Sequence, residues 1–136
     1  MCLFCDIVSG KIPCHRVFEN EKVLAFLDIA PVNYGHALVV PKAHYANMEE
    51  IPEDALCETV KIVKIVGKAL KEGLAAPGYN VSINNDPVSG QVIPHIHFHV
   101  IPRKEGDGLK LWEQGKYGNG EALEVLEKIK GAIDAE

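Results

Sequence analysis

Residues 95–100 read His-Ile-His-Phe-His-Val, and this alternation constrains the fold more than any other part of the chain. On a β-strand, successive side chains point to opposite faces, so the three histidines would share one face at a spacing of roughly 6.5–7 Å. An ordinary exposed strand would more often carry Thr, Lys or Glu there. Imidazole can act as a nucleophile, an acid or a base near neutral pH. The pattern therefore predicts a strand over 95–101, delimited by Pro94 and Pro102, that carries reactive side chains.

Short apolar runs between turn residues predict further strands on both sides of the chain's centre. Residues 17–18 and 23–27 form a predicted hairpin, and 36–40 a strand that Pro41 closes. Residues 79–84 form another strand. The first third of the chain is therefore expected to be a meander of strands.

Apolar residues recur at steps of three and four from Glu53 to Gly73, which predicts an amphipathic helix. Pro52 suits its first turn and Gly73 its end. A wide apolar arc suggests either a deeply packed helix or a second buried surface against a partner subunit; the residues that widen the arc are Ile62, Ile65 and Ala69. With a second helix over 121–133, the elements indicate an α+β fold with a mostly antiparallel sheet.

Composition excludes several classes of protein. A chain of 136 residues is the size of a single domain, and its net charge of −5 lacks the basic footprint of a protein that grips nucleic acid. Its apolar runs fall well short of the roughly 20 residues that a membrane-spanning helix needs. The N-terminus resembles no secretory signal, so we expect a cytoplasmic protein that binds neither nucleic acid nor membranes.

The four cysteines are then expected to be free or metal-bound. Cys2 and Cys5 have the C-x2-C spacing that lets two thiolates meet one Zn(II), although two more ligands are needed and a pair of free cysteines is the alternative. Cys14 and Cys57 belong to no motif.

The loop before the histidines contains groups that could face a phosphate. Gly90 permits a close backbone approach, and Asn84 and Gln91 carry amides. The same residues are also ordinary turn formers, so both readings stay open.

Taken together, Gly90-Gln91 and the nine residues 95–103 resemble the signature of the histidine triad (HIT) family. The resemblance extends upstream through 3–5, 25–28 and 35–42. It covers about residues 2–107 of a single domain spanning 1–136, leaving 108–136 as a C-terminal extension. It implies a homodimeric protein with an α+β fold. Such a protein would hydrolyse purine nucleotides at the α-phosphate or transfer their nucleotidyl group.

The resemblance also implies roles for the histidines. His97 would be the nucleophile, a positively charged His99 would contact the phosphate and assist the leaving group, and His36 would support both. No catalytic metal is required on this route. Two alternatives remain: a metal-dependent hydrolase that uses the histidine cluster, and a nucleotide-binding scaffold with vestigial activity.

The substrate pocket follows from the same resemblance. Asp28 would bind the ribose hydroxyls; a turn-forming Asp is the alternative. The phosphate side would use Asn84, Gly90 and Gln91. Five apolar residues match the base pocket but could also be core: Leu3, Phe4, Ile7, Phe26 and Ile29. Val92 stands where many relatives carry Ser or Thr, which removes a hydroxyl donor near the leaving group.

Relatives that contain zinc supply the two missing ligands of the cysteine pair. By that resemblance, His44 and His95 would join Cys2 and Cys5 in a closed structural Zn(II) site. Holding His95 would also anchor the chain next to His97.

Overall fold

A computed structural model describes residues 2–136 as five antiparallel strands and three helices. The sheet order is β1-β2-β3-β5-β4. The strands are β1 (Arg16–Glu19), β2 (Val23–Leu27), β3 (Ala37–Pro41), β4 (Gly78–Ile83) and β5 (Phe98–Arg103), and the helices are α1 (Leu3–Val8), α2 (Glu53–Leu74) and α3 (Glu121–Asp134). The predicted α+β class, with its mostly antiparallel sheet, is confirmed.

The central strands β2 and β3 are buried on both faces. On one face, alternate side chains pack with the apolar side of α2; on the other, they pack with Phe4 and Ile7 of α1. Strands covered on both faces need no polar residues, which explains why these two strands are continuous apolar runs. The predicted hairpin and the strand that follows it are confirmed.

Helix α2 follows Pro52 as predicted but runs past Gly73 to Leu74. It ends because Ala75 adopts a left-handed conformation at φ 55° and donates its N–H to the carbonyl of Leu70. Within the single chain the second buried surface does not form. Ile62 belongs to the core, whereas Ile65 and Ala69 are exposed.

The prediction of a strand over 95–101 is wrong at both ends. β5 begins at Phe98 because its pairing with β3 and β4 begins there. Before that point the chain leaves the sheet, and Ile96 donates its N–H to the carbonyl of Tyr45. At the other end the strand continues through Pro102, where only β4 lies alongside.

The predicted alternation of side chains survives this shift. Ile96, Phe98 and Val100 all belong to the core beneath α2, although Ile96 lies outside the regular strand. The histidines are not the polar half of an exposed strand, because His95 and His97 are buried. They lie beneath α1, a helix that the sequence analysis did not predict.

Residues 110–136 are exposed throughout. Helix α3 confirms the second predicted helix, and its apolar residues meet no core; the largest of them are Leu123, Val125, Leu126, Ile129 and Ile133. In the part of the chain that the structure describes, no helix has the length and apolar character to cross a membrane.

Candidate active site and metal centre

A cavity of about 350 Å³ opens beside α1 and reaches two of the triad histidines. Its polar side chains include those of Asp28, Asn84, His97 and His99. Apolar side chains dominate the rest of the wall. A cavity lined by both apolar and polar side chains fits a ligand that has an apolar base and a charged group.

Most of the predicted pocket residues meet at this cavity. All five apolar candidates line it, together with Asp28, Asn84 and Gly90. The sequence analysis missed Ile12, Pro13, Cys14, Leu27, Leu38 and Ile93. The first three connect α1 to β1, so their place depends on a helix too short to give a periodic signal.

Gly90 and Asn84 lie against each other in the cavity wall. Gly90 has φ +105°, and a Cβ added to it would come within 3.3 Å of Asn84 Nδ2. Glycine is therefore required both by the backbone conformation and by the contact. A residue with a side chain at position 90 would displace the Asn84 amide.

The structure does not bring Gln91 to the cavity wall. Its Nε2 donates to the carbonyls of Ala46 and Ile93 at 2.6 and 3.1 Å, and its Oε1 accepts the N–H of Asp86 at 2.8 Å. The Gln91 amide therefore holds the loop in place through the backbone.

His97 has its tautomer fixed by a backbone group. Its Nδ1 lies 2.8 Å from the carbonyl oxygen of His95, which can only accept, so Nδ1 carries the proton. The lone pair is then on Nε2. Phe4 packs edge-on against the ring at a centroid distance of 4.9 Å, which leaves little freedom to rotate.

His36 and His99 are linked in a second chain of hydrogen bonds. Val32 donates its N–H to His36 Nδ1 at 3.1 Å, which puts the His36 proton on Nε2. That proton is donated to His99 Nδ1 at 3.0 Å. His99 consequently carries its own proton on Nε2, and its ring lies on the cavity wall.

Burial makes the charged form of these histidines unfavourable. The pKa of His99 falls from 6.5 to about 4 because the ring is buried and because His97 and His36 lie next to it. Burial also lowers the pKa of His36 and that of His97. The expected positive charge on His99 is therefore absent from the free protein near neutral pH.

Asp28 combines the two roles that the sequence left open. Its Oδ1 accepts the N–H of Ala30 at 2.9 Å, which is a turn contact, and its carboxylate also lines the cavity. Oδ2 lies 3.8 Å from His36 Nε2.

The four predicted metal ligands converge. The ligand atoms of Cys2, Cys5, His44 and His95 all lie within 4.8 Å of one another. His95 Nδ1 is 3.5 Å from Cys2 Sγ and 3.6 Å from Cys5 Sγ, and His44 Nδ1 is 3.4 Å from Cys5 Sγ. With Zn–S near 2.3 Å and Zn–N near 2.0 Å, a tetrahedron separates S from N by about 3.5 Å. The set therefore fits Zn(II).

A larger hollow of about 820 Å³ lies elsewhere, lined by Tyr34, Leu74, Pro102 and Arg103 among others. No histidine or cysteine lines it. The smaller cavity is therefore the better candidate for the active site.

Comparison with known proteins decides the family. The model of the HIT domain matches residues 9–106. The chain belongs to the HIT family. It is 51% identical over 131 residues to an uncharacterized HIT-like protein of Methanocaldococcus jannaschii, which covers 96% of this chain and 100% of that one.

The HIT relatives also include a protein with a named enzymatic activity. The adenosine 5′-monophosphoramidase of Schizosaccharomyces pombe is 45% identical over 102 residues, covering 75% of this chain and 74% of its own. At the level of enzyme class, such relatives confirm the prediction of a HIT-type nucleotide hydrolase.

Among solved HIT structures, a Zn-bound histidine triad family protein of Mycobacterium smegmatis superposes with a TM-score of 0.77 at 35% identity, covering 96% of each chain. In the present protein, His95 Nε2 lies 2.8 Å from the carbonyl of Pro41, so Nε2 carries the proton and the Nδ1 lone pair faces the two thiols. This tautomer is the one that metal binding requires.

A second group, of three potential metal ligands, does not have all its lone pairs free for a metal. Asp28, His36 and His99 also lie within 4.8 Å of one another. His36 Nε2, however, carries the proton that Val32 directs there, so it has no lone pair to offer a metal. The arrangement fits a relay of hydrogen bonds better than a catalytic metal centre.

Proposed function

We propose that the protein hydrolyses nucleoside phosphoramidates or dinucleoside polyphosphates at the α-phosphate through a nucleotidyl-histidine intermediate on His97. The observation that carries the proposal is the fixed tautomer of His97, whose Nε2 lone pair belongs to a buried ring on the wall of the cavity. A neutral, oriented imidazole is an effective nucleophile.

The reaction takes two displacements at phosphorus. The Nε2 lone pair of His97 forms an N–P bond, and the bond from phosphorus to the leaving group breaks with its electrons going to the leaving group. His99 gives its Nε2 proton to the leaving group, and uptake of a proton by the His36–His99 pair, which the negative charge of a bound phosphate favours, keeps the ring from being left as an anion. Water then attacks phosphorus, the N–P electrons return to His97, and a proton from the water restores His99.

The remaining polar groups orient the substrate. Asn84 and the backbone near Gly90 would bind phosphate oxygens, and the carboxylate of Asp28 would accept from the ribose hydroxyls. Gln91 would not contact the substrate; it would act indirectly, by holding the loop to the backbone of Ala46. The apolar wall would receive the base. It has few groups that could read a base edge, so we expect purines with little preference between them.

A structural Zn(II) at Cys2, Cys5, His44 and His95 is part of the proposal. The tautomer of His95 and the separations of the ligand atoms support it. When bound, the ion would hold α1 against the segment that leads to His97. No step of the reaction uses it.

We also propose that the protein is a cytoplasmic homodimer. The exposed apolar residues on α2 and α3, including Ile65 and Ile129, support a second copy as their partner. Mass measurement by light scattering tests this; a monomer at micromolar concentration would contradict it.

A substrate comparison tests the reaction itself. Adenosine 5′-phosphoramidate and diadenosine polyphosphates are offered to the protein under equal conditions, and release of AMP is followed. Turnover of either class supports the proposal, and the ratio of kcat/KM values assigns the leaving group. Binding without turnover of both would favour the scaffold instead.

A further inference from the structure

The loop of residues 28–36 carries Asp28 at one end and His36 at the other, yet little apolar packing holds its outer side. Ile29 is 91% exposed and Tyr34 is 93% exposed. The hollow of 820 Å³ separates much of this loop from the turn at 102–107. The loop touches Leu74 and Pro102 at Gly35. Polar contacts of its other residues can add to this packing and help to keep His36 within hydrogen-bonding distance of His99.

Asn33 makes polar contacts that cross this gap. Its Nδ2 donates to the carbonyl of Pro102 at 2.9 Å and to Asp107 Oδ2 at 3.1 Å. Its own carbonyl accepts the N–H of His36 at 3.0 Å. One residue thus joins the catalytic loop to β5, the strand that carries His99.

The far end of this link is rigid. The side chain of Asp107 is only 4% exposed, and both its oxygens accept from Arg103, Nε to Oδ2 at 2.7 Å and Nη2 to Oδ1 at 3.1 Å. Backbone N–H groups of Lys104 and Leu109 donate to the same carboxylate. Arg103 also donates from Nη1 to Asn80 Oδ1 at 2.7 Å. A paired carboxylate with this many donors is a fixed acceptor for the Asn33 amide.

We infer that Asn33, held by Asp107 and Arg103, is a positioning residue for His36 and thereby for the His36–His99 pair. The inference rests on the proposed function, because it assigns Asn33 to the relay that serves His97. Without the Asn33 amide, the loop would keep its hydrogen bonds within itself but lose these polar links to β5. His36 Nε2 would then no longer be held 3.0 Å from His99 Nδ1.

The test is a double-mutant cycle of Asn33→Ala and His36→Ala, with kcat and KM measured for adenosine 5′-phosphoramidate. A shift of the reacting groups of about 1 Å can lower a rate by up to roughly a hundredfold. We expect N33A to lower kcat by about tenfold to a hundredfold with KM within threefold. In the H36A background, N33A should change kcat by less than twofold, because the group on which it acts is already gone.

Asn20→Ala is the matched control. Asn20 is half-buried like Asn33, and its side chain also makes two hydrogen bonds: Oδ1 accepts the backbone N–H groups of Lys22 and Val23 at a turn, away from the site. N20A therefore reproduces the general cost of losing a half-buried amide with two hydrogen bonds, and kcat should stay within twofold. An N33A protein that keeps kcat within twofold, or one that loses activity equally with and without His36, would overturn the inference.

The tautomer of His36 is a readout that does not depend on turnover. In the parent protein, ¹⁵N chemical shifts should report a protonated Nε2 that is hydrogen-bonded, and N33A should shift this signal while the His97 signals stay. If the parent protein proves inactive, the proposed reaction fails but this spectrum still decides about Asn33. Should N33A not fold, Asn33→Ser goes through the same measurements, and unchanged His36 shifts would count against the inference.

Discussion

Asp28 illustrates how one side chain can satisfy a turn and a ligand site together. Its Oδ1 accepts the N–H of Ala30, while its carboxylate still faces the cavity. A sequence cannot separate these roles, because Asp before Ile-Ala-Pro is typical of both. The structure makes them compatible, since a carboxylate has lone pairs for more than two donors.

If Asp28 binds the ribose, AMP should bind more tightly than 2′-deoxy-AMP. A lost hydrogen bond to a charged group costs roughly 1.5–3 kcal/mol, or about tenfold to a hundredfold in Kd. Calorimetry should show that preference in the parent protein and not in Asp28→Ala, while AMP and GMP differ by less than about tenfold. Asp134→Ala, on the exposed α3, is the control. Equal binding of the two adenosine nucleotides to the parent protein would reduce Asp28 to a turn residue.

His99 should titrate far below an ordinary histidine. Its pKa of about 4 in the folded protein lies under the 6.5 of an unperturbed imidazole, so the unfolded chain binds more protons between these values. The free energy of unfolding should therefore fall as pH drops from 6.5 through 4. NMR of the His99 ring measures the pKa directly, and His99→Asn should weaken the pH dependence of stability. A midpoint near 6.5 would contradict the burial argument.

At the scale of elements, the periodicity of apolar residues predicted the long helix and missed the short one. Helix α2 has enough turns for its apolar spacing to be read, whereas α1 has six residues and so gives no such signal. The start of β5 was also unreadable, since its alternation continues into Ile96, where the backbone bonds to Tyr45 instead of a strand.

The four proposed zinc ligands come from three segments that surround the cavity. Cys2 Sγ accepts the N–H of Cys5 at the start of α1, and His95 precedes His97 by two residues. The segment after His44 holds the phosphate-side loop, through the bond from Gln91 to Ala46. If the proposed Zn(II) is bound, its loss should therefore loosen several parts of the cavity wall together.

Cys5→Ser should lower the zinc content from near one per chain, lower the Tm, and weaken AMP binding. Structural zinc contributes directly to the free energy of folding, and α1 carries Leu3, Phe4 and Ile7 of the cavity. Metal analysis, thermal melting and calorimetry measure the three effects, and the exposed Cys57→Ser is the control. A metal-free protein with an unchanged Tm would show that the four residues hold no structural ion.

Across the whole molecule, the site depends on contacts that sequence spacing does not reveal. The histidine alternation predicted a reactive segment. The family resemblance predicted which distant residues lie near it. Neither could indicate that Asn33 meets Asp107, 74 positions away, or that Gln91 bonds to the backbone at Ala46. Those pairings follow from the way the loops fold back on the sheet.

The most direct test of the proposed chemistry is a quenched single turnover with adenosine 5′-phosphoramidate or a diadenosine polyphosphate, followed by intact-mass and peptide analysis. We predict one adenylyl group per chain, acid-labile as a phosphoramidate bond is, on the peptide that contains His97, and none in His97→Ala. Complete hydrolysis with no such adduct in the parent protein, and a His97→Ala variant of near-normal kcat, would contradict the account.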